Sequence, residues 1–287
     1  MRIPREKAED LSSSINELLS RNIISREKVH TLAGKGAWMA QVIPKLRPFV
    51  NTMWAALNSE GAGRRHIYTR QVKTGLLWMK AFLGEETTSI QRTIHFTAPR
   101  TAAVIAWDAS TTGGGAILWI LPADKLPPTG RLPQVLGERP SMYVAMGWDA
   151  SHEKLAAAKI GQAASQARWE AFMLVTAILT WLPVLQASKG NWHFIGDALG
   201  VMSGAVSFHS KDVHINAMLM EVAICTAGTG RKLSAEHIWS EKNTLADALS
   251  RLQEGEIIPE ELKEVKRTTP QQPKWKILGR MDQAPLP

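Results

Sequence analysis

Four acidic residues, Asp108, Glu170, Asp197 and Asp247, lie within or directly beside apolar segments of this 287-residue chain. Converging carboxylates repel one another and raise one another's pKa unless divalent cations neutralise them. Oxygen-only ligands suit Mg²⁺ or Mn²⁺, and two such ions about 3.5–4 Å apart form a site for in-line phosphodiester hydrolysis. If the fold brings the four acids together, they predict a two-metal hydrolytic site.

Each acid also has an ordinary structural explanation. Asp108 precedes a small-residue turn and can cap a hairpin, and Asp197 ends a strand and can cap the next helix. Glu170 lies in the most apolar helical run and can point to solvent. Asp247 falls in the first turn of the last helical run, where the helix dipole favours an acid.

The string Trp-Asp-Ala-Ser occurs twice, at Asp108 and at Asp149, so the two acids compete for one role. After Asp108 come three glycines and an apolar run, which together predict a hairpin. After Asp149 comes an Ala- and Lys-rich helical run, so we expect Asp149 to cap that helix and assign the site to Asp108. We interpret Gly113–Gly115 as a turn and not a phosphate loop, because no Lys-Ser or Lys-Thr follows.

The pattern of apolar residues around these acids predicts an α/β domain that follows an all-helical segment in the chain. Apolar residues recur at helical spacing up to about residue 85. The order is then three strands, helix, strand, helices, strand and helix, which predicts a mixed five-stranded sheet with flanking helices. The predicted strands cover residues 93–98 with 102–108, 115–121, 141–148, 191–196 and 233–239; the long helix covers 165–182.

Basic charge is concentrated ahead of the predicted sheet. The net charge is +8, and residues 1–100 hold 16 Lys and Arg against 8 Asp and Glu, whereas residues 101–250 hold 11 against 12. Such an excess fits a phosphate-binding platform, and it fits equally a charge-laced, solvated helical surface.

Composition excludes several classes of protein. The single cysteine, Cys225, rules out an internal disulfide framework and a multi-cysteine zinc site, and it fits an intracellular setting, cytoplasmic or nuclear. No secretory signal follows the charged start. The uncharged run 171–188 contains Pro183 and Gln186, so we interpret it as a buried helix of about 12–15 residues and not as a membrane span.

Tryptophan is abundant, with 11 in the chain. Three lie on the basic helices and are candidates for contact with nucleic acid: Trp38, Trp54 and Trp78. Seven fall in predicted core elements and are expected to pack there: Trp107, Trp119, Trp148, Trp169, Trp181, Trp192 and Trp239.

The strings around the four acids resemble the ribonuclease H domain of retroelement reverse transcriptases over roughly residues 91–253. The most specific match is Asn-Thr-Leu-Ala-Asp-Ala-Leu-Ser-Arg, which contains Asp247. The resemblance implies a ribonuclease H-like fold in 91–253, a helical thumb- or connection-like segment in 1–90, and a loosely ordered tail in 254–287.

The resemblance also implies roles for the acids. Asp108 would bridge two Mg²⁺ ions, for which Mn²⁺ can substitute. Asp247 would join it on the ion that activates water, and Glu170 and Asp197 would hold the second ion. The substrate would be the RNA strand of an RNA–DNA hybrid, recognised through 2′-hydroxyls and phosphates.

Three features depart from the family pattern. Ala198 follows Asp197 where Asn or Ser is common, and the loop before Asp247 has no His, which leaves His237 on the preceding strand without an assigned role. No Asp-Asp pair occurs, so we expect no DNA synthesis and a polymerase portion, if required, on a separate chain. The alternatives are an inactive nucleic-acid-binding module of the same fold and a nuclease or transposase with a three-acid site.

Overall fold

The computed structural model describes residues 2–59, 65–84, 101–121, 138–188, 190–227 and 231–271. The chain forms two compact units. One comprises Met1–Ile94, Ser207–Gly230 and Lys274–Pro287, and the other comprises His95–Val206 and Arg231–Pro273.

Helices and short strands alternate along the described residues. The α-helices there are α1 (Arg5–Leu19), α2 (Arg26–Val42), α3 (Arg47–Asn58), α4 (Lys73–Phe82), α5 (Ala150–Ala156), α6 (Gln166–Ala187), α7 (Leu199–Ser207), α8 (Val213–Thr226) and α9 (Thr244–Ser250). The strands are β1 (Ile23–Ser25), β2 (His66–Tyr68), β3 (Thr101–Ala109), β4 (Gly113–Ile120), β5 (Met142–Gly147), β6 (Asn191–Gly196), β7 (Leu233–His237) and β8 (Lys266–Arg267).

The first unit is mainly helical, as predicted, but it also contains a small antiparallel sheet of β1 and β2. Each of these strands has three residues and buries one isoleucine, Ile24 or Ile67. Strands this short carry no alternating pattern that a sequence can reveal. Ser25 caps α2 by accepting a hydrogen bond from the backbone N–H of Lys28.

Helix α8 belongs to the first unit, although its sequence lies inside the segment 91–253 that the resemblance assigns to the second domain. It packs against α3. The buried Asn216 side chain donates to the Pro48 carbonyl over 2.8 Å and accepts from the Asn51 amide over 3.0 Å. Apolar residues on most faces of α8 are buried, so the helix must pack against other elements on several sides. The predicted domain boundary at residue 91 does not show which elements these are.

The second unit is built on a mixed sheet in the order β7-β6-β3-β4-β5-β8. Strands β3, β4 and β5 are antiparallel neighbours, whereas β3–β6, β6–β7 and β5–β8 are parallel. The α/β class and the mixed sheet are confirmed. The described sheet has six strands and not the predicted five, and the predicted strand 93–98 lies outside the described residues.

The sixth strand comes from the segment predicted as a loosely ordered tail, and for residues 254–271 that prediction is wrong. Leu262 and Val265 are buried in the same apolar cluster as Tyr143. Strand β8 pairs with β5, and the backbone N–H of Thr268 donates to the Tyr143 carbonyl over 2.8 Å. These buried apolar residues and backbone hydrogen bonds hold the charged segment on the sheet.

Helix α6 is longer than predicted, because it continues through Pro183 to Ala187. In the described part of the chain, Ala163–Ala187 is the one segment with the length and apolar composition of a membrane span, at a mean hydropathy of 1.5. Within this segment, 61% of the span-length window is buried inside the protein, which is the pattern of a core helix.

Gly113–Gly115 begin β4 and do not form the turn that we expected. A Cβ on Gly114 would lie 2.5 Å from the Trp148 ring. A Cβ on Gly115 would lie 2.2 Å from the Leu249 Cβ of α9. The glycines are therefore required because an indole and a helix press directly onto this strand.

Candidate metal centre

Strand register brings two of the predicted acids together. Strands β3 and β6 are parallel neighbours, and their register pairs Ala106 with Ile195. Two residues further along the chain from Ala106 and Ile195 come Asp108 and Asp197, at the same edge of the sheet. Asp108 is 6% exposed, while Asp197 is partly exposed beyond the end of its strand.

Helix α6 supplies the third acid. It packs against β3 and β4, and Glu170, 5% exposed, lies one turn after its first residue. Asp108, Glu170 and Asp197 each offer one carboxylate oxygen, and these three oxygens lie within 4.8 Å of one another. In the part of the chain that the structure describes, no salt bridge reaches any of the three.

Neutral donors hold the three carboxylates in place. Glu170 Oε1 accepts from the Ala109 backbone N–H and from the Gln166 amide, both over 3.2 Å. Ser250 Oγ lies 2.6 Å from Asp108 Oδ2, and Ser240 Oγ lies 2.6 Å from Asp197 Oδ2. These contacts orient the carboxylates without neutralising their charge.

The cluster disfavours its own ionisation. Burial raises the pKa of Asp108 to about 7, and the charges of Asp197 and Asp247 raise it as well, against the hydrogen bond from Ser250. Burial also raises the pKa of Glu170 well above its usual range, with further contributions from Asp108 and Asp197. Nearby positive charge would reverse both shifts.

The residues fit a hard divalent cation. All three donors are carboxylate oxygens, the ligand type that Mg²⁺ and Mn²⁺ take. Glu170 Oε2 is buried and has no hydrogen-bond partner. An unpartnered buried carboxylate oxygen is costly unless a cation or a donor meets it. Asp108, Glu170 and Asp197 can therefore hold a metal ion between them.

Asp247 is not part of this group of three. It lies on α9, where its Oδ1 pairs with Arg251 Nε over 2.9 Å. The pairing follows from the i,i+4 spacing of the two residues on a helix. Asp247 is still close enough for its charge to raise the pKa of Asp108.

Two residues that sequence reasoning missed anchor α9 to the end of β3. Asn243 is buried and donates from its amide to the Trp107 carbonyl over 2.9 Å. Ser250 is fully buried, and besides its contact with Asp108 its carbonyl accepts from Ser110 Oγ over 2.9 Å. Both residues belong to the string around Asp247, which was the available signal for them.

The competing acid, Asp149, is a helix cap, as predicted. Its Oδ1 accepts from the backbone N–H of Ser151 over 2.7 Å and from that of His152 over 3.0 Å. The His152 ring in turn accepts from the Asp149 backbone N–H, which completes a capping box.

The tryptophans predicted to pack in the core do so with one exception. Six of the seven expected to pack are buried: Trp107, Trp119, Trp148, Trp169, Trp181 and Trp192. Trp239 is 70% exposed, so the prediction that it packs in the core is wrong. Strand β7 ends at His237, two residues earlier, and Trp239 therefore lies beyond the sheet. Trp38, on α2, is 47% exposed.

The chain matches no protein-family model and no curated protein.

Proposed function

We propose that this protein is a two-metal-dependent endonuclease that hydrolyses the RNA strand of RNA–DNA hybrids, with a ribonuclease H-like second unit. The observation that carries the proposal is the group of Asp108, Glu170 and Asp197. Their oxygens meet within 4.8 Å at the edge of a mixed sheet, and no salt bridge among the described residues reaches them, although the charge of Arg251 partly offsets that of Asp108. The sheet flanked by helices is compatible with such a fold.

The proposal assigns the ligands as follows. Asp108 would serve both ions, Glu170 and Asp197 would serve one, and Asp247 would serve the other through Oδ2, because Arg251 is hydrogen-bonded to Oδ1. When bound, Mg²⁺ or Mn²⁺ supplies the charge that activates water and stabilises the phosphodiester transition state. Ser250 and Ser240 keep the carboxylates of Asp108 and Asp197 directed at this place.

Substrate affinity is assigned mainly to phosphate contacts. The basic excess of residues 1–100 supports binding that does not depend on sequence. The hybrid as substrate rests on the resemblance of the strings around the acids. The proposal places the protein in a reducing, intracellular compartment, with any polymerase portion on another chain.

One observation favours the second candidate, a binding module without activity. Arg251 pairs with Oδ1 of Asp247, the acid assigned as the fourth ligand, and this pairing balances the charge of Asp247 without a metal ion. The two candidates share the fold and the partner and differ only in cleavage.

Cleavage of a labelled RNA–DNA hybrid with Mg²⁺, and then with Mn²⁺, tests the proposal. The matched variants are Asp108→Asn and Asp149→Asn, because both acids stand in the string Trp-Asp-Ala-Ser and only one lies in the cluster. Asn is as good a helix cap as Asp, so the second variant keeps its fold.

We expect the wild type and Asp149→Asn to cut the hybrid, and Asp108→Asn to fall to background. Single-stranded RNA, duplex RNA and duplex DNA should remain intact. If folded wild-type protein binds the hybrid and never cuts it with either metal, the nuclease is excluded and the binding module replaces it.

A further inference from the structure

Trp239 is the most exposed aromatic residue that the structure describes, at 70%. An indole is among the largest apolar groups in proteins, and it is normally buried or held at an interface. The residues that follow it, Ser240, Glu241 and Lys242, are also exposed. Trp239 is thus an exposed indole followed by three exposed polar residues.

The backbone on both sides of Trp239 is fixed. The N–H of Ile238 donates to the Gly196 carbonyl over 3.0 Å, and the Ile238 side chain is 7% exposed in the core cluster. The Trp239 carbonyl accepts from the N–H of Lys242 over 2.8 Å. The ring is therefore held in solvent by an ordered chain, as a binding surface requires.

A second ring supports the indole. His237, the last residue of β7, meets Trp239 edge-on, with ring centroids 5.3 Å apart and planes at 81°. Edge-to-face contact of this kind is a preferred aromatic geometry, and it occupies a ring without covering both of its faces.

The position of Trp239 links it to the carboxylate cluster. The next residue, Ser240, places its hydroxyl 2.6 Å from Asp197 Oδ2. Adjacent Cα atoms are about 3.8 Å apart, so the indole begins one residue from a group that touches the site. A ligand at the cluster that extends over β7 would meet this ring.

We propose that Trp239, supported by His237, forms a nucleobase-stacking subsite that holds one nucleotide of the nucleic acid beside the carboxylate cluster. Every base has a π-face, so an indole accepts bases without sequence preference. The exposed Lys242 in the same turn supplies a positive charge for a phosphate. The subsite rests on the proposed function, because it assumes a nucleic acid at the cluster.

The test measures binding without cleavage. The probe is a short fluorescein-labelled RNA–DNA hybrid, titrated in EDTA and followed by anisotropy. The variants are Trp239→Phe, which keeps a stacking face, Trp239→Leu, which keeps apolar bulk alone, and Trp239→Ala. The matched control is Ile257→Ala, since Ile257 is an exposed apolar side chain of the same unit, at 79%.

We expect Trp239→Ala and Trp239→Leu to weaken binding by about tenfold, which is within the range measured when an aromatic that stacks on a base is replaced by alanine. Trp239→Phe should stay within about threefold of the wild type, and Ile257→Ala should bind as the wild type does. Since Trp239 is exposed, none of its variants should lose stability, which circular dichroism and urea unfolding check.

The outcomes separate the subsite from the nuclease. If Trp239→Ala binds as tightly as the wild type, or Trp239→Leu as tightly as Trp239→Phe, the stacking subsite is overturned even where the wild type cuts the hybrid. If binding depends on the aromatic ring but no metal supports cleavage, the subsite stands and the nuclease fails.

Discussion

At the scale of single residues, the carboxylates of the centre interact unfavourably with one another. Asp108 and Glu170 are buried beside further acids, and among the described residues neutral donors alone contact their carboxylates. A bound cation would convert this repulsion into attraction. This repulsion acts between a few neighbouring carboxylates, so single substitutions can test it.

The metal-free protein should lose stability as the pH rises. The pKa of Asp108 is about 7 when folded and about 3.9 in an unfolded chain, so between these values the folded state binds more protons. The free energy of unfolding then falls with pH, by about 1.4 kcal/mol per unit of pKa difference, and the fall is complete above the folded pKa.

Urea unfolding in EDTA at about pH 5 and about pH 8 measures this loss. In Asp108→Asn we expect a smaller fall, because the titrating group is gone and Glu170 loses a repelling neighbour. The free energy of unfolding of Asp149→Asn should fall with pH as that of the wild type does, since the cap contacts lower the pKa of Asp149. An equal fall in all three proteins would contradict the burial of charge at Asp108.

Ser250 should set the pH at which the centre binds metal. Its hydrogen bond lowers the pKa of Asp108. Ser250→Ala removes the donor, so Asp108 should stay protonated to a higher pH, and the acidic limb of Mn²⁺ binding should shift upward. Isothermal calorimetry across a pH series measures the shift.

The matched control for this variant is Ser151→Ala. Ser151 Oγ also donates to a carboxylate over 2.6 Å, but that carboxylate belongs to the exposed cap, Asp149. Ser151→Ala should therefore leave the pH profile of metal binding unchanged. If Ser250→Ala alters affinity equally at every pH, Ser250 acts through packing and not through the Asp108 proton.

At the scale of elements, the centre depends on how closely α9 approaches β4. Gly115 lies opposite Asp108 in the strand register, and Leu249 of α9 packs against its backbone. This approach lets Ser250 reach Asp108 and Asn243 reach the end of β3.

Gly115→Ala should therefore push α9 from the sheet. The new Cβ would lie 2.2 Å from the Leu249 Cβ and 3.0 Å from the Ala246 carbonyl. Overpacking of this kind costs about 1–3 kcal/mol, and we expect that loss in urea unfolding together with weaker Mn²⁺ binding.

The control is Gly200→Ala in α7, where a Cβ meets nothing within 4 Å. It should be neutral or slightly stabilising, because alanine favours helix. If Gly115→Ala is as stable as this control, the close contact of α9 and β4 does not exist.

At the scale of the whole molecule, each unit is completed by a segment remote in sequence. Helix α8 joins the first unit, and residues after Glu254 complete the second. Boundaries drawn from motifs alone would therefore leave apolar surfaces of both units uncovered.

Leu262→Ala tests the contribution of the segment after Glu254. Leu262 is fully buried, so its truncation should lower the free energy of unfolding by about 2–5 kcal/mol. Ile257→Ala, in the same segment but exposed, should change stability by less than about 0.5 kcal/mol. Equal stabilities for the two variants would show that the segment after Glu254 does not contribute to the core of the second unit. The readout is the urea midpoint of the full chain.

Much of the sheet was predictable. Strand-like apolar runs, helical periodicity and the glycines after Asp108 are local signals, and they placed β3 to β7 and the start of α6 within a few residues. The cap at Asp149 was predictable for the same reason, because capping chemistry involves residues three positions apart. The burial of Trp239 was predicted wrongly, since the run 233–239 shows no sign that the sheet ends at His237.

The sequence by itself determined the α/β class, the order of β3 to β7 with α6 to α9, and the residue types able to hold a divalent cation. Only the tertiary structure decided that Asp108, Glu170 and Asp197 meet while Asp247 pairs with Arg251. It alone placed α8 in the first unit and β8 on the sheet. Local propensity acts over a few residues, whereas convergence of distant carboxylates depends on strand register and on packing between elements far apart in the chain.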